Sequence, residues 1–221
     1  MSFNTNKFLA QYGDEKHIDK ALKDKSEVIR ISAMSNHGIK EHHVDKALED
    51  ESFHVKNAAI NSSAATSKHV GKLMNDKDPS IRCAAIRSPH ATKEHIDKAM
   101  NDVIPDVRSA GLDHPNTTKE HLDKALNDKS PVVRSSVLYS PNATPEHIDK
   151  AINDPDERTR VLSLKSPFVT AHHLDKALDD KSYAVRYAAI NHHKVMDRHI
   201  DKALKDSDPD IRAEAEYFKR K

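Results

Sequence analysis

Residues 92–102 read TKEHIDKAMND, and the same phrase returns as TKEHLDKALND at 118–128 and as TPEHIDKAIND at 144–154. The histidine of this phrase, which we call the frame histidine, recurs every 26 residues without an insertion. Its eight copies are His17, His43, His69, His95, His121, His147, His173 and His199. A fixed period in this range is the signature of a repeat architecture, so we expect eight structural copies over residues 17–221.

Each copy carries the signals of two helices. Thr92 is a preferred N-cap residue, and Ile96 and Met100 follow it on one helical face. The second helix begins at a Ser or Asp, as at Asp78, which Pro79 follows at the first helical position. The pattern therefore predicts an all-α protein built from two-helix repeats.

The predicted helices, about ten residues each, are too short to be stable alone in water. A pair of short helices with one apolar face also cannot enclose a core, so neighbouring copies must stack. We expect one α-solenoid domain over residues 17–221. Phe3 and Phe8 fall in register with the apolar positions of the second helices, which predicts an N-terminal capping helix within residues 1–16.

The composition argues against several classes of function. The chain has 36 basic and 35 acidic residues and therefore no net attraction for nucleic acid or an anionic membrane. Its single cysteine, Cys83, excludes an internal disulfide and a multi-cysteine metal site. We expect a cytoplasmic protein without a membrane span, without a cofactor and without an enzymatic activity, because no catalytic motif stands apart from the repeat.

The frame histidine is the residue that most resembles an active-site or metal-binding group. Equivalent histidines of stacked repeats should be about 8–10 Å apart, too far to share one metal ion. At the edge of the apolar face, an imidazole can pack and still hydrogen-bond a turn. We therefore expect a structural role and no metal, also for the doublets His42-His43, His172-His173 and His192-His193, whose side chains should diverge.

Two further sets of charged residues recur with the same period as the frame histidine. Asp102 and Arg108, with their counterparts, flank the turn between the two helices and predict a ladder that ties each repeat to the next. Asp97 and Lys98 point away from the apolar face. Such pairs, present in seven of the eight repeats, predict a solvated surface of balanced charge, and the aspartates argue against a lysine row that follows phosphates.

Residues 128–154, DKSPVVRSSVLYSPNATPEHIDKAIND, resemble the leucine-rich repeat variant and, more broadly, HEAT-type repeats. The shared marks are the Asp, the Val-Arg pair, the Asn or Pro that follows, and Thr-Pro-Glu before an aliphatic pair. The resemblance extends over nearly the whole chain. It implies a right-handed superhelix in which one element of a repeat can be short or 3₁₀, and it implies little about function.

Function is expected where the copies differ and the side chains are exposed. A helical wheel places three positions of the second helix opposite its buried side, those of Ser80, Cys83 and Arg87 in the third repeat and their equivalents in the others. We call this face the ridge, and its Tyr, Val and Asn content is typical of an interface. The predicted binding residues are Ile31, Asn57, Arg87, Val132, Tyr139, Val161, Lys165, Tyr187, Asn191 and Tyr217.

The expected partner is a protein, with a nucleic acid bound by a HEAT-like surface as the alternative. The same wheel places Cys83 on the exposed ridge. Two departures from the repeat stand out: the apolar pair Val103-Ile104 at a turn predicts a contact site or local packing, and Thr159, in place of Val or Ile, predicts a looser sixth repeat.

Overall fold

A computed structural model describes residues 13–220 of the chain, and all regular structure in this range is helical. The chain divides into two compact units, Met1–Asn116 and Thr117–Lys221, and each contains four two-helix repeats. The boundary between the units coincides with a boundary between repeats. The expectation of a single domain over 17–221 stays a prediction.

The first unit contains repeats one to four. Its helices are α1 (Glu15–Ala21), α2 (Glu27–Ala33), α3 (Glu41–Ala47), α4 (Phe53–Ile60), α5 (Ser67–Leu73), α6 (Pro79–Arg87), α7 (Lys93–Ala99) and α8 (Pro105–Ala110). The predicted capping helix lies outside the described residues up to residue 12, and residues 15 and 16 belong to α1.

The second unit contains repeats five to eight. Its helices are α9 (Lys119–Ala125), α10 (Pro131–Ser136), α11 (Pro145–Ala151), α12 (Glu157–Ser163), α13 (Ala171–Ala177), α14 (Tyr183–Ile190), α15 (Asp197–Ala203) and α16 (Pro209–Lys219). A 3₁₀ turn, Val137–Tyr139, follows α10. Both elements of each repeat are therefore α-helical in the described chain.

The helices begin where the cap residues predict. The second helices have Ser or Asp at the N-cap, except that Ile104 takes this position in repeat four. Asp78 accepts a hydrogen bond from the backbone N–H of Ser80, which satisfies a donor that the first helical turn leaves open.

The core of each unit forms between successive repeats. Second helices of neighbouring repeats pack against each other, and in the repeats other than the fifth the first helix packs on the second helix of its own repeat. Ile96 of α7 and Ile86 of α6 are fully buried. Because the helices have 6 to 11 residues, this packing supplies the stability that isolated helices of such length lack. Over residues 13–220, no helix is both long enough and apolar enough to cross a membrane.

Candidate functional site

The frame histidine caps the first helix of its repeat. In α7, the backbone N–H of Thr92 donates to Nδ1 of His95 at 3.1 Å, and the Thr92 hydroxyl also lies 3.1 Å from this nitrogen. The imidazole thus accepts the N-cap backbone hydrogen bond that Glu or Gln accepts in a capping box. The backbone bond to Nδ1 recurs at His43, His69, His121, His147, His173 and His199. The predicted structural role, an imidazole that hydrogen-bonds a turn, is confirmed for these seven residues.

The capping bond also selects the tautomer of the imidazole. Because Nδ1 accepts a backbone proton, the neutral ring must carry its own proton on Nε2. In repeat seven, this Nε2–H donates to Oδ1 of Asp149, in the preceding repeat, at 2.8 Å. Neither nitrogen then offers a free lone pair, so these histidines are not arranged to act as a general base or as a metal ligand.

One group of ligand-type atoms among the described residues gathers tightly, on repeats one and two. Atoms of Glu15, His42 and His43 lie within 4.8 Å of one another. The predicted divergence of the doublet is wrong here, since the two rings have centroids 3.9 Å apart. Nδ1 of His43 accepts from the Lys40 amide at 3.0 Å, however, so its Nε2 presents a proton, and Lys40 also pairs with Glu15. We assign no metal to this group.

The Asp–Arg ladder joins successive repeats. The Arg82 guanidinium forms two hydrogen bonds with the Asp102 carboxylate of the next repeat, at 2.8 and 2.9 Å. The same guanidinium also donates to the carbonyl oxygen of Asp76 in its own repeat. The hydrogen bond from Arg82 holds the pKa of Asp102 below its ordinary value, against the opposing effect of burial. The predicted ladder is therefore confirmed.

The lysines of the first helices pair with the preceding repeat. Nζ of Lys150 lies 2.6 Å from the carboxylate of Asp123, and Lys119 contacts the same carboxylate at 2.9 Å. The hydrogen bonds from Lys150 and Lys119 lower the pKa of Asp123 to about 2. Lys46, Lys72 and Lys202 also pair with carboxylates of the preceding repeat, those of Asp19, Glu49 and Asp179. This surface has balanced charge, as predicted.

The structure divides the ridge into two exposed rows and one partly covered row, which we name by their members in repeat three. The Arg87 row is exposed in every repeat, and it includes Tyr139, Lys165, Asn191 and Tyr217. The Ser80 row is exposed except at Ala184, and it includes Val132.

The Cys83 row, between the other two, lies among packed second helices. Ile31, Asn57 and Val161 are half-buried there, whereas Tyr187 is exposed. The prediction of an exposed Cys83 is wrong, because this residue is only 8% exposed. The wheel treats a helix as isolated, and here α4 and α8 pack against both sides of α6.

The second unit carries the exposed aromatic residues of the ridge. Tyr139 is 64% exposed and Val132 is 51% exposed. Beside Tyr139, a cavity of about 370 Å³ is lined by Leu162, Lys165 and Phe168, with residues of both flanking turns. This is an apolar groove with a cation at its edge.

The wheel missed an aromatic residue next to the ridge. Tyr183, the first residue of α14, is 41% exposed, and its ring stacks on that of Tyr187 with centroids 5.5 Å apart. Pro occupies the equivalent position in several repeats. The Tyr at this position is therefore a departure from the repeat pattern that the sequence itself shows.

Val103 and Thr159, which depart from the repeat pattern, differ in their exposure. Val103 is 80% exposed at the turn, whereas Ile104 is the N-cap of α8. Thr159 is fully buried, and its hydroxyl bonds the Asp156 carboxylate at 3.3 Å. The polar atom that interrupts the apolar position is therefore satisfied within the helix cap.

Comparison with solved structures supports the repeat fold. The chain is similar to a leucine-rich repeat variant described as having a novel repetitive structural motif, with a TM-score of 0.55 and 19% identity over 88% of this chain and 87% of that one. The Escherichia coli protein YibA is matched at a TM-score of 0.35 and 17% identity, over 99% of this chain and 95% of that one. No protein-family model and no curated protein sequence matches the chain. The likeness concerns the fold alone.

Proposed function

We propose that this chain is a non-enzymatic cytoplasmic scaffold that binds a protein partner through the ridge of its second helices. The observation that carries the proposal is the exposure of Tyr139 beside the groove that Leu162 and Phe168 line. Tyrosine is enriched at sites that contribute strongly to binding, because it adds apolar area and a hydrogen-bonding group at little cost in side-chain entropy.

The balanced charge of the first-helix surface favours a protein over a nucleic acid. A protein that follows a phosphate backbone needs cations free to contact it. Lys150 and Lys202 are instead paired with carboxylates of the preceding repeats. The frame histidines support a scaffold over an enzyme, since their Nδ1 atoms accept backbone hydrogen bonds.

Affinity capture from a cell lysate tests the proposal. We expect wild-type protein and the control Lys129→Ala to retain the same partner, and Tyr139→Ala/Tyr187→Ala to lose it. Lys129 is exposed at a turn of the same repeat as Tyr139. An unchanged set of captured proteins for the tyrosine variant would remove the ridge from consideration.

A gel-shift titration with DNA and RNA at several salt concentrations tests the alternative. Phosphate contacts make nucleic-acid affinity fall steeply with salt. Tight, strongly salt-dependent binding that the tyrosine variant leaves unchanged would support a nucleic-acid partner instead.

A further inference from the structure

A stacked pair of tyrosines faces solvent at the start of α14. Tyr183 and Tyr187 are one helical turn apart, their ring planes are inclined by 25°, and their centroids are 5.5 Å apart. The rings are 41% and 39% exposed, so a partner can reach them. The face of an aromatic ring carries negative charge density and attracts cations.

Carboxylates of the next repeat are neighbours of Tyr183. Helix α16 packs against α14, and its first turns carry Asp208, Asp210 and Glu214. Partial burial and the neighbouring carboxylates of Asp210 and Asp208 raise the pKa of the Tyr183 phenol. The same end of the second unit therefore presents aromatic faces and negative charge together.

These carboxylates lack the cations that balance others in the second unit. Asp123, Asp175, Asp179 and Asp201 each pair with a Lys or Arg. Within residues 13–220, no cationic side chain lies within salt-bridge distance of Asp210 or Glu214. Arg212, on the same helix, donates to the backbone carbonyl oxygens of Asp206 and Ser207.

We propose that repeats seven and eight bind a basic segment of the protein partner, with an Arg or Lys side chain on the Tyr183–Tyr187 pair and salt-bridged to Asp210 or Glu214. This inference rests on the proposed function, because it names the chemistry of the partner at one end of the same ridge. Charge complementarity selects this occupant: an acidic segment or a nucleic acid would be repelled by the unpaired carboxylates.

The test uses the full chain and a fluorescent peptide of alternating Gly and Arg, followed by fluorescence anisotropy. The matched control peptide carries citrulline, which has nearly the shape of Arg without its charge. We expect the Arg peptide to bind and the citrulline peptide to bind at least about tenfold more weakly. We also expect the affinity for the Arg peptide to fall between about 50 and 300 mM salt.

Two sets of variants distinguish the contribution of the tyrosine rings to binding from that of the carboxylates. Tyr183→Leu/Tyr187→Leu should weaken binding by about two- to fivefold for each ring, whereas Tyr183→Phe/Tyr187→Phe keeps the aromatic faces and should retain affinity. Asp210→Asn/Glu214→Gln should also weaken binding. The control Asp201→Asn removes a carboxylate that already pairs with Lys219 and should have no effect.

Several results would overturn the inference: no binding of the Arg peptide, equal binding of the citrulline peptide, or equal affinity for the Leu and Phe pairs. A loss of affinity in Asp201→Asn as large as in Asp210→Asn/Glu214→Gln would do the same. The proposed function is judged separately by Tyr139→Ala, which leaves Tyr183 and Tyr187 intact. If that variant loses the captured partner while the Arg peptide fails to bind, the result supports the proposed scaffold function and rejects the basic segment as its partner.

Discussion

The guanidinium of Arg134 and the carboxylate of Asp154 form a two-point salt bridge that joins repeat five to repeat six. Nε lies 2.7 Å from Oδ2 and Nη2 lies 2.8 Å from Oδ1. Both side chains are largely buried. A third bond, from Nη1 to the carbonyl oxygen of Asp128, ties the same guanidinium to the turn of its own repeat.

Replacing Arg134 by Leu should destabilise the protein. The substitution leaves the buried carboxylate of Asp154 without its cation, which costs about 3 kcal/mol of the free energy of unfolding. Urea denaturation measures the change. Lys119→Ala is the control: it removes an exposed partner of Asp123, whose second partner Lys150 remains, and should cost less than about 0.5 kcal/mol. Equal losses in both variants would contradict a structural role for the ladder.

Lys56→Arg should stabilise the protein. Lys56 occupies the ladder position in repeat two and reaches Asp76 through one contact at 3.3 Å, where the other observed pairs use the two-point geometry of Arg. Arg at this position can add a second charge-assisted hydrogen bond, with a gain of about 1 kcal/mol. The same urea experiment measures it. A variant no more stable than wild type would show that the second hydrogen bond is not formed.

Mild acid should destabilise the fold through its buried histidines. Burial lowers the pKa of His147 and of His43 in the folded chain. The ordinary histidine pKa, which applies to the unfolded chain, is about 6.5. Stability is therefore fully present above about pH 6.5, and it falls as the pH drops through the lowered values, because the unfolded chain then binds protons that the folded chain does not.

The expected slope is at most about 1.4 kcal/mol per pH unit for each such histidine. Urea denaturation between about pH 8 and pH 5 measures it, above the range in which carboxylates such as Asp102 become protonated. His147→Gln keeps an acceptor at the capping position, and its slope should be smaller than that of wild type. A stability that is constant over this range would contradict the prediction.

Cys83 should react slowly with thiol reagents in the native protein. Burial raises the pKa of this thiol, so less of the reactive thiolate is present, and the surrounding helices restrict access. We expect a reaction with a disulfide reagent at least about tenfold slower than in urea. The control Cys83→Ala/Arg87→Cys moves the thiol to the exposed Arg87 row and should react rapidly. A fast reaction of the wild-type thiol would contradict the observed burial.

The repeated histidine phrase shows which structural features can be predicted from residues close together in the sequence. The Thr at the start of the phrase and the apolar spacing after it predict the first helices, because a cap and a helical face depend on residues within a few positions of each other. The histidine itself also acts locally, since His95 bonds the backbone of Thr92, one helical turn earlier. Which ring nitrogen of His95 accepts the backbone proton, and hence which tautomer is present, depends on the geometry of that bond, which the sequence does not specify.

The ridge shows where local signals fail. A wheel calculated for one helix placed Cys83 and Val161 on the exposed face, but neighbouring second helices partly cover that row. Tyr183 is the first residue of α14 and lies outside the three positions of the second helix that define the ridge.

By itself, the sequence determined the repeat period, the two helices of each repeat and their caps, because these depend on residues close together in the chain. Tertiary structure alone decided that the Arg134 guanidinium bonds both oxygens of the Asp154 carboxylate, that Cys83 is covered and that Tyr183 lies beside unpaired carboxylates. The physical reason is that these features arise where one repeat is laid against the next. The distance and angle between packed helices, which a repeating pattern does not specify, set which side chains meet and which remain open to a partner.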